Sequence, residues 1–263
     1  MRKLIVCLVA LVFSLTACSG GSGDSSGAHG PAGDQASPSA SATMSPRAVR
    51  AFFRALGSAD ADAEWRAVAM TATDSVARDY SSYFASANEA LRTGGGTPVR
   101  LAVTRPRPGT WRLCGGAAAQ RQCYTYADVA FEGGRVASFT VDGEDLSTRL
   151  VHGDGSRARA GKFGTIETQL EYQTTEDTVW VIAEVHNTSA WPWGLSSDTA
   201  YLGANGHRSA IIGQAGPAMV SPHTTAKIAL AFSRAKVGGR VAYDAFSNDA
   251  GAPDPVKVTS GIG

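Results

Sequence analysis

The sequence has few of the residues that build metal and catalytic centres. It contains five histidines and four cysteines among 263 residues, and no two histidines stand four apart or in a His-x-His pair. No Gly-x-Ser-x-Gly stands in the strand–turn–helix context of a nucleophile elbow, and no Ser-x-x-Lys is followed by the other motifs of penicillin-binding enzymes. We therefore expect neither enzyme activity nor a cofactor or metal site.

An excess of charge of one sign is also missing. Lys and Arg total 24 and Asp and Glu total 23, which gives a formal net charge of +1. A surface that binds nucleic acid would need clustered positive charge, so we expect no nucleic-acid partner. After the first 17 residues, the chain has no apolar run long enough to span a membrane.

The amino-terminal segment combines a basic start, a short apolar run and a cysteine after small residues. Two basic residues precede the run 4–13, and residues 15–18 read Leu-Thr-Ala-Cys. This pattern predicts an export signal at residues 1–17. The cysteine resembles that of the lipobox in bacterial lipoproteins. The resemblance implies that Cys18 carries lipid, with palmitate among its acyl chains, and anchors the protein at the extracytoplasmic face of the cell membrane.

Two alternatives to lipidation remain open. An uncleaved anchor would need roughly 20 apolar residues, whereas an ordinary signal peptidase could cut after Ala17. Residues 18–45 are mostly Gly, Ser, Ala and Pro. Such a segment buries too little apolar surface to fold, so we predict a disordered tether between the lipid and the folded part.

Two cysteines remain once Cys7 is assigned to the signal and Cys18 to the anchor. Cys114 and Cys123 flank a loop of small and polar residues. An exported protein meets oxidising conditions, so we predict a disulfide between them. A redox-active pair usually stands only two residues apart, and a metal site would need further ligands.

Residues 46–155 predict an α+β domain, with helices followed by an antiparallel sheet. Ser45 and Pro46 are typical of a helix start, and Asp74 is expected to cap a third helix. The segment 49–64, with Phe-Phe-Arg-Ala-Leu-Gly at 52–57, resembles the opening helix of nuclear-transport-factor-like (SnoaL-type) domains. The resemblance implies a cone-like fold. Four aromatic residues either line a pocket in this cone or form its core: Trp65, Tyr80, Tyr83 and Trp111.

Residues 161–263 predict an all-β, immunoglobulin-like sandwich of about seven strands. Ile166, Thr168, Leu170 and Tyr172 alternate with polar neighbours. Asn205-Gly206 predicts a tight hairpin. The strand ending in Val-His-Asn at 185–187 resembles that of telokin-like, immunoglobulin-like modules of exported bacterial lipoproteins. The whole chain resembles an actinobacterial two-domain lipoprotein.

Two tryptophans follow this strand. Trp191 and Trp193 flank Pro192, which cannot donate a hydrogen bond to a strand ladder. They either pack onto the sandwich or form an exposed recognition patch for an envelope protein or a glycan. We expect at least one indole to be partly exposed.

These features favour a non-catalytic binding or scaffolding lipoprotein of the cell envelope, held on the membrane by its lipid. The alternative is a small-ligand carrier or an enzyme that uses a pocket in the cone-like domain. An enclosed polar pocket would favour the alternative, whereas a filled core would favour the first interpretation.

Overall fold

The computed structural model describes residues 44–117, 121–174 and 177–261. In these residues three α-helices come first, and the strands that follow pair with one another almost entirely in antiparallel orientation. The predicted order, helices before antiparallel strands, is confirmed. The signal predicted at residues 1–17, the lipidation site Cys18 and all but the end of the tether predicted at 18–45 lie outside the described residues.

Side-chain caps fix where the helices begin. The helices are α1 (Pro46–Leu56), α2 (Ala61–Ala69) and α3 (Val76–Thr93). Ser45, Asp60 and Ser75 each accept a hydrogen bond from the amide three residues later. The predicted start of α1 is confirmed. The prediction that Asp74 caps α3 is wrong, because Asp74 has a φ of 54° and lies one residue before the cap.

The first sheet is a five-stranded antiparallel meander in which each strand pairs with the one before it. Its strands are β1 (Ala102–Arg107), β2 (Thr110–Gly115), β3 (Gln122–Glu132), β4 (Arg135–Val141) and β5 (Glu144–Asp145). The predicted hairpin between β3 and β4 is confirmed. Gly133 and Gly134 both have positive φ, which suits the two-residue turn that joins twisted strands.

The second sheet has ten strands and curls over itself. Its strands are β6 (Leu150–His152), β7 (Arg157–Ala160), β8 (Gly164–Gln173), β9 (Thr178–Asn187), β10 (Gly194–Leu195), β11 (Ala200–Leu202), β12 (Arg208–Ala215), β13 (Thr225–Ser233), β14 (Arg240–Phe246) and β15 (Val256–Gly261). The first part of β12 pairs with β11 and its second part pairs with β13. Strand β12 therefore turns the corner between two layers that enclose a core.

A bulge in β8 divides its side chains between two cores. The pairing of β8 with β9 shifts register between Thr168 and Leu170. Ile166 faces the interior of the curled sheet, whereas Leu170 and Tyr172 face the helices. The expectation that these residues share one face is wrong, because an extra residue in a strand reverses the alternation beyond it.

Helix α3 packs between the two sheets, so the helices and both sheets share one core. Tyr80 and Tyr83 of α3 contact the ring of Tyr172 on β8, with ring centroids 5.3 and 4.8 Å apart. Ile182 of β9 and Ala229 of β13 belong to the same buried cluster. The second sheet also begins earlier than the predicted boundary at residue 161, because β6 and β7 both pair with β8.

Candidate functional site

The predicted disulfide is present in the first sheet. Cys114 and Cys123 stand opposite each other in the ladder of β2 and β3, and their sulfur atoms are bonded. The disulfide ties the two strands together at the start of the loop between them.

Three of the four aromatic residues expected at a pocket lie in the core. Tyr80, Tyr83 and Trp111 are almost fully buried. The Tyr80 hydroxyl lies 3.0 Å from the Tyr126 hydroxyl, and the Tyr80 ring packs edge-on against Phe139. Burial raises the pKa of both Tyr80 and Tyr83 well above the ordinary value for tyrosine. Their placement favours the interpretation that these aromatic residues form the core.

The fourth aromatic residue is separate from the other three. Trp65 lies on the outer side of α2 with 40% of its surface exposed. The ammonium of Lys227 from β13 lies 5.0 Å from the centre of the indole and 3.0 Å from a carboxylate oxygen of Glu89. The expectation that Trp65 joins Tyr80, Tyr83 and Trp111 is therefore wrong, because its indole faces solvent and a cation from the second sheet.

The two tryptophans around Pro192 do not form one exposed patch. Trp193 is 0% exposed, and its ring packs against Phe163 with centroids 5.7 Å apart. Its backbone forms an isolated antiparallel bridge with Val220, which draws the loop inward. Trp191 is half-buried. The expectation that at least one indole is partly exposed is met by Trp191, but Trp193 packs into the core of the second sheet.

The side chain of Asn187 sets the path of this loop. Its amide nitrogen donates to the carbonyl oxygens of Trp191 and Val220 at 2.8 and 2.9 Å. Its carbonyl oxygen accepts from both the amide and the hydroxyl of Ser189. These bonds satisfy the backbone where β9 ends, so the loop folds onto the second sheet.

An open depression lies at the amino end of α3, away from the aromatic core. It has a volume of about 550 Å³ and is lined by Asp74, Arg78, Asp79, Ser82 and His152. His152 comes from β6, and its Nε2 atom lies 2.9 Å from Oδ2 of Asp79. The depression therefore contains a contact between His152 and the Asp79 carboxylate, and it is also lined by the Arg78 cation and the Ser82 hydroxyl.

The His152–Asp79 pair lies at the protein surface. Sixty-one per cent of the His152 side chain is exposed, against 24% for Asp79. Water screens such a pair, so its contribution to stability is small. Sequence reasoning missed the pair because the two residues are distant in the chain. The one available signal was Asp79 and Ser82, which stand three apart and so share a face of α3.

A buried polar cluster joins α2 to α3. Glu64 accepts hydrogen bonds of 2.7 Å from both Asn88 and Arg92 and is 1% exposed. Burial raises the pKa of Glu64, and its two partners oppose that rise. The cluster fixes the angle between the helices, and Glu64 therefore has a structural role.

No group of three or more His, Cys, Asp or Glu side chains in the described ranges is placed to hold a metal ion. In the same part of the chain, none of the helices combines the length and apolar character that crossing a membrane requires. No family model matches the chain, and neither a curated protein nor a solved structure matches it.

Proposed function

We propose that this chain is an extracytoplasmic lipoprotein, anchored to the cell membrane through Cys18, that binds or scaffolds other components of the cell envelope without catalysing a reaction. In this proposal the curled second sheet is an immunoglobulin-like sandwich, and the helices with the first sheet form a cone-like, SnoaL-type domain. The tether of residues 18–45 would let both stand away from the membrane.

The observation that carries the proposed location is the disulfide. Disulfides persist in oxidising compartments and are rare where thiols are kept reduced. The bonded pair, Cys114 and Cys123, agrees with the export signal read from residues 1–17. Two independent parts of the chain thus support one compartment.

The filled core supports binding at an outer surface. Aromatic rings fill the space between α3 and the first sheet. The ring of Phe139 contacts those of Phe53, Tyr80 and Tyr126, and the ring of Phe53 also contacts that of Tyr126. On its other side, α3 is covered by the second sheet. A partner would therefore meet outer surfaces of this body.

A second candidate is a small-ligand carrier or an enzyme, and one observation favours it. The depression of Asp74, Arg78, Asp79, Ser82 and His152 gathers acid, base and cation in one place. Its location differs from the cone interior, so a ligand would bind at the amino end of α3.

Membrane fractionation of the protein in its own host tests the anchor. We expect Cys18→Ala to leave the protein unlipidated by intact mass and to move it out of the membrane fraction. Cys7→Ala is the matched control, because it changes a cysteine of the same signal and should leave lipidation intact. A native protein without lipid would refute the anchor.

Pull-down from the host envelope separates the two functional candidates. If the protein is a scaffold, the tagged wild type and a variant with Asp79→Asn and His152→Gln should retain the same partners. If the depression is the active or carrier site, the double variant should lose a bound small molecule or a turnover that the wild type has.

A further inference from the structure

A carboxylate is buried inside the curled sheet, and no cation from the described residues forms an ion pair with it. Glu171 of β8 is 0% exposed. Its Oε2 atom accepts hydrogen bonds from the Tyr201 hydroxyl at 2.8 Å and from the Gly238 amide at 2.9 Å. Its Oε1 atom has no hydrogen-bond partner in the described residues. Burying an ionised oxygen without a partner is costly, whereas a neutral carboxylic acid is much less costly to bury.

The hydrogen bonds around Tyr201 are one proton short when Glu171 is ionised. The Tyr201 hydroxyl lies 2.8 Å from both Glu171 Oε2 and the carbonyl oxygen of Lys236. A hydroxyl has one proton and can donate to only one of these acceptors. The Tyr201 oxygen also accepts from the Gly239 amide at 2.7 Å, which leaves one lone pair free.

A proton on Glu171 removes this conflict and leaves Oε1, which has no partner among the described residues, as the oxygen of a neutral acid. The carboxylic acid then donates to the free lone pair of Tyr201, and Tyr201 donates its own proton to the carbonyl of Lys236. The two glycine amides keep their acceptors. Loss of the proton leaves two acceptors competing for one phenol proton, with a negative charge inside the sheet.

We propose that Glu171 gains and loses a proton in the folded protein, and that this proton closes the connection 234–239 between β13 and β14 onto β8 and β11. The connection is then a pH-sensitive element built into the sandwich. This inference goes beyond the proposed function and does not depend on it.

In the part of the chain that the structure describes, the ionisable side chains that face Glu171 are phenols. The phenols that face it are Tyr201 from β11 and Tyr243 from β14, whose pKa is raised in part by the charge of Glu171. Its ladder neighbours on β6 and β9 are Val151 and Val181. The connection itself contributes backbone groups, and the side chain of Lys236 is exposed.

The nearest buried cation lies on the other side of β8. The guanidinium of Arg149 stands 5.2 Å from the centre of the Tyr172 ring, and its Nε atom donates to the carbonyl oxygen of Gln173. Tyr172 follows Glu171 in the strand, so the two side chains point to opposite faces. Burial thus dominates at Glu171 and raises its pKa to about 7, although the bonds from Gly238 and Tyr201 act against the rise.

Carboxyl-carbon NMR of the full-length protein measures the proton directly. We expect the Glu171 carboxyl to titrate near neutral pH. A Glu171 midpoint at the ordinary acidic value would overturn the proposal. This measurement needs no variant, so it remains decisive if a substitution prevents folding.

Amide hydrogen exchange of Gly238 and Gly239 measures the closure. We expect their protection factors, corrected for intrinsic exchange, to fall by up to about tenfold for each pH unit between the ordinary pKa of glutamate and the midpoint near 7, and to level off above it. In Glu171→Gln the amide nitrogen can donate to Tyr201 but cannot accept from the Gly238 amide, so protection should be lower than in the protonated wild type and should stay constant with pH. Glu167→Gln, on the same strand but paired with Arg157 near the surface, should behave as the wild type. Constant protection in the wild type, or an unchanged fall in Glu171→Gln, would refute the switch.

Discussion

Gly153 lies so close to the backbone carbonyl of Thr168 that a Cβ atom at position 153 would overlap the carbonyl oxygen. The amide of Gly153 also donates to the carbonyl oxygen of Gln169 at 2.9 Å. This contact lies at the bulge of β8, where β6 ends. Because Gly153 has no side chain, the chain that follows β6 can pass directly over the backbone of the β8 bulge.

Gly153→Ala should destabilise the protein by about 1–3 kcal/mol, because the backbone on both sides must move to admit the methyl group. Gly213→Ala is the matched control, since a Cβ there meets only the Cβ of Ala231 at 3.6 Å. Chemical denaturation of both variants measures the difference. Equal unfolding free energies would show that the bulge can move freely.

Trp193→Ala should cost about 3–5 kcal/mol of unfolding free energy, because it empties a buried site in the second core. Trp191→Ala should cost about 1 kcal/mol, the usual effect of a substitution outside the core. Trp193→Phe keeps most of the packing and removes an indole N–H that has no partner among the described residues, so it should cost less than Trp193→Ala. Thermal and denaturant unfolding of the three variants rank them. Similar losses for Trp191→Ala and Trp193→Ala would contradict the different burial of the two indoles.

The unfolding free energy should fall as pH rises through about 7 because of Glu171. Its pKa is raised to about 7 in the folded protein. The folded state therefore binds the proton more tightly than the unfolded state. The stabilisation is fully present below the ordinary pKa of glutamate and is lost as pH rises through the raised value, by up to about 3 kcal/mol. Denaturation between pH 5 and 9 measures this slope.

Glu171→Gln should flatten that part of the pH profile. The neutral amide has no charge to bury at high pH, so its unfolding free energy should exceed that of the wild type most at pH 9. A wild-type profile that rises between pH 5 and 7 would show that other groups outweigh Glu171.

Reduction of the Cys114–Cys123 disulfide should lower the unfolding free energy by about 2.5 kcal/mol, since the bond closes a small ring in the unfolded chain. Paired Cys114→Ser and Cys123→Ser substitutions should give a similar loss. Alkylation of the unreduced, denatured protein should label neither cysteine. Full labelling of protein exported by its own host would show that the bond does not form there.

The sequence was sufficient to predict the features that depend on residues close together in the chain. Ser45 and Pro46 start α1 because a cap and a restricted φ act within one turn. The Gly133-Gly134 hairpin follows from the positive φ that its turn requires. The Cys114–Cys123 bond followed from assigning Cys7 to the predicted signal and Cys18 to the predicted anchor, which left two cysteines.

Features that depend on distant contacts were beyond the sequence. The bulge of β8 lies against the backbone of Gly153, and without the bulge residues 166, 168, 170 and 172 read as one face. Trp193 is drawn inward by Val220, which the local pattern around Pro192 cannot show. The Asp79–His152 pair arises only because β6 joins the second sheet beside α3.

The bulge of β8 also bears on how the protein melts. Ile166 and Tyr172 stand on one strand but belong to different cores. Withdrawal of β8 from either core would break its ladder with β9 and expose the other. We therefore expect calorimetry to record one cooperative transition, with equal calorimetric and van't Hoff enthalpies, although the chain has two sheets.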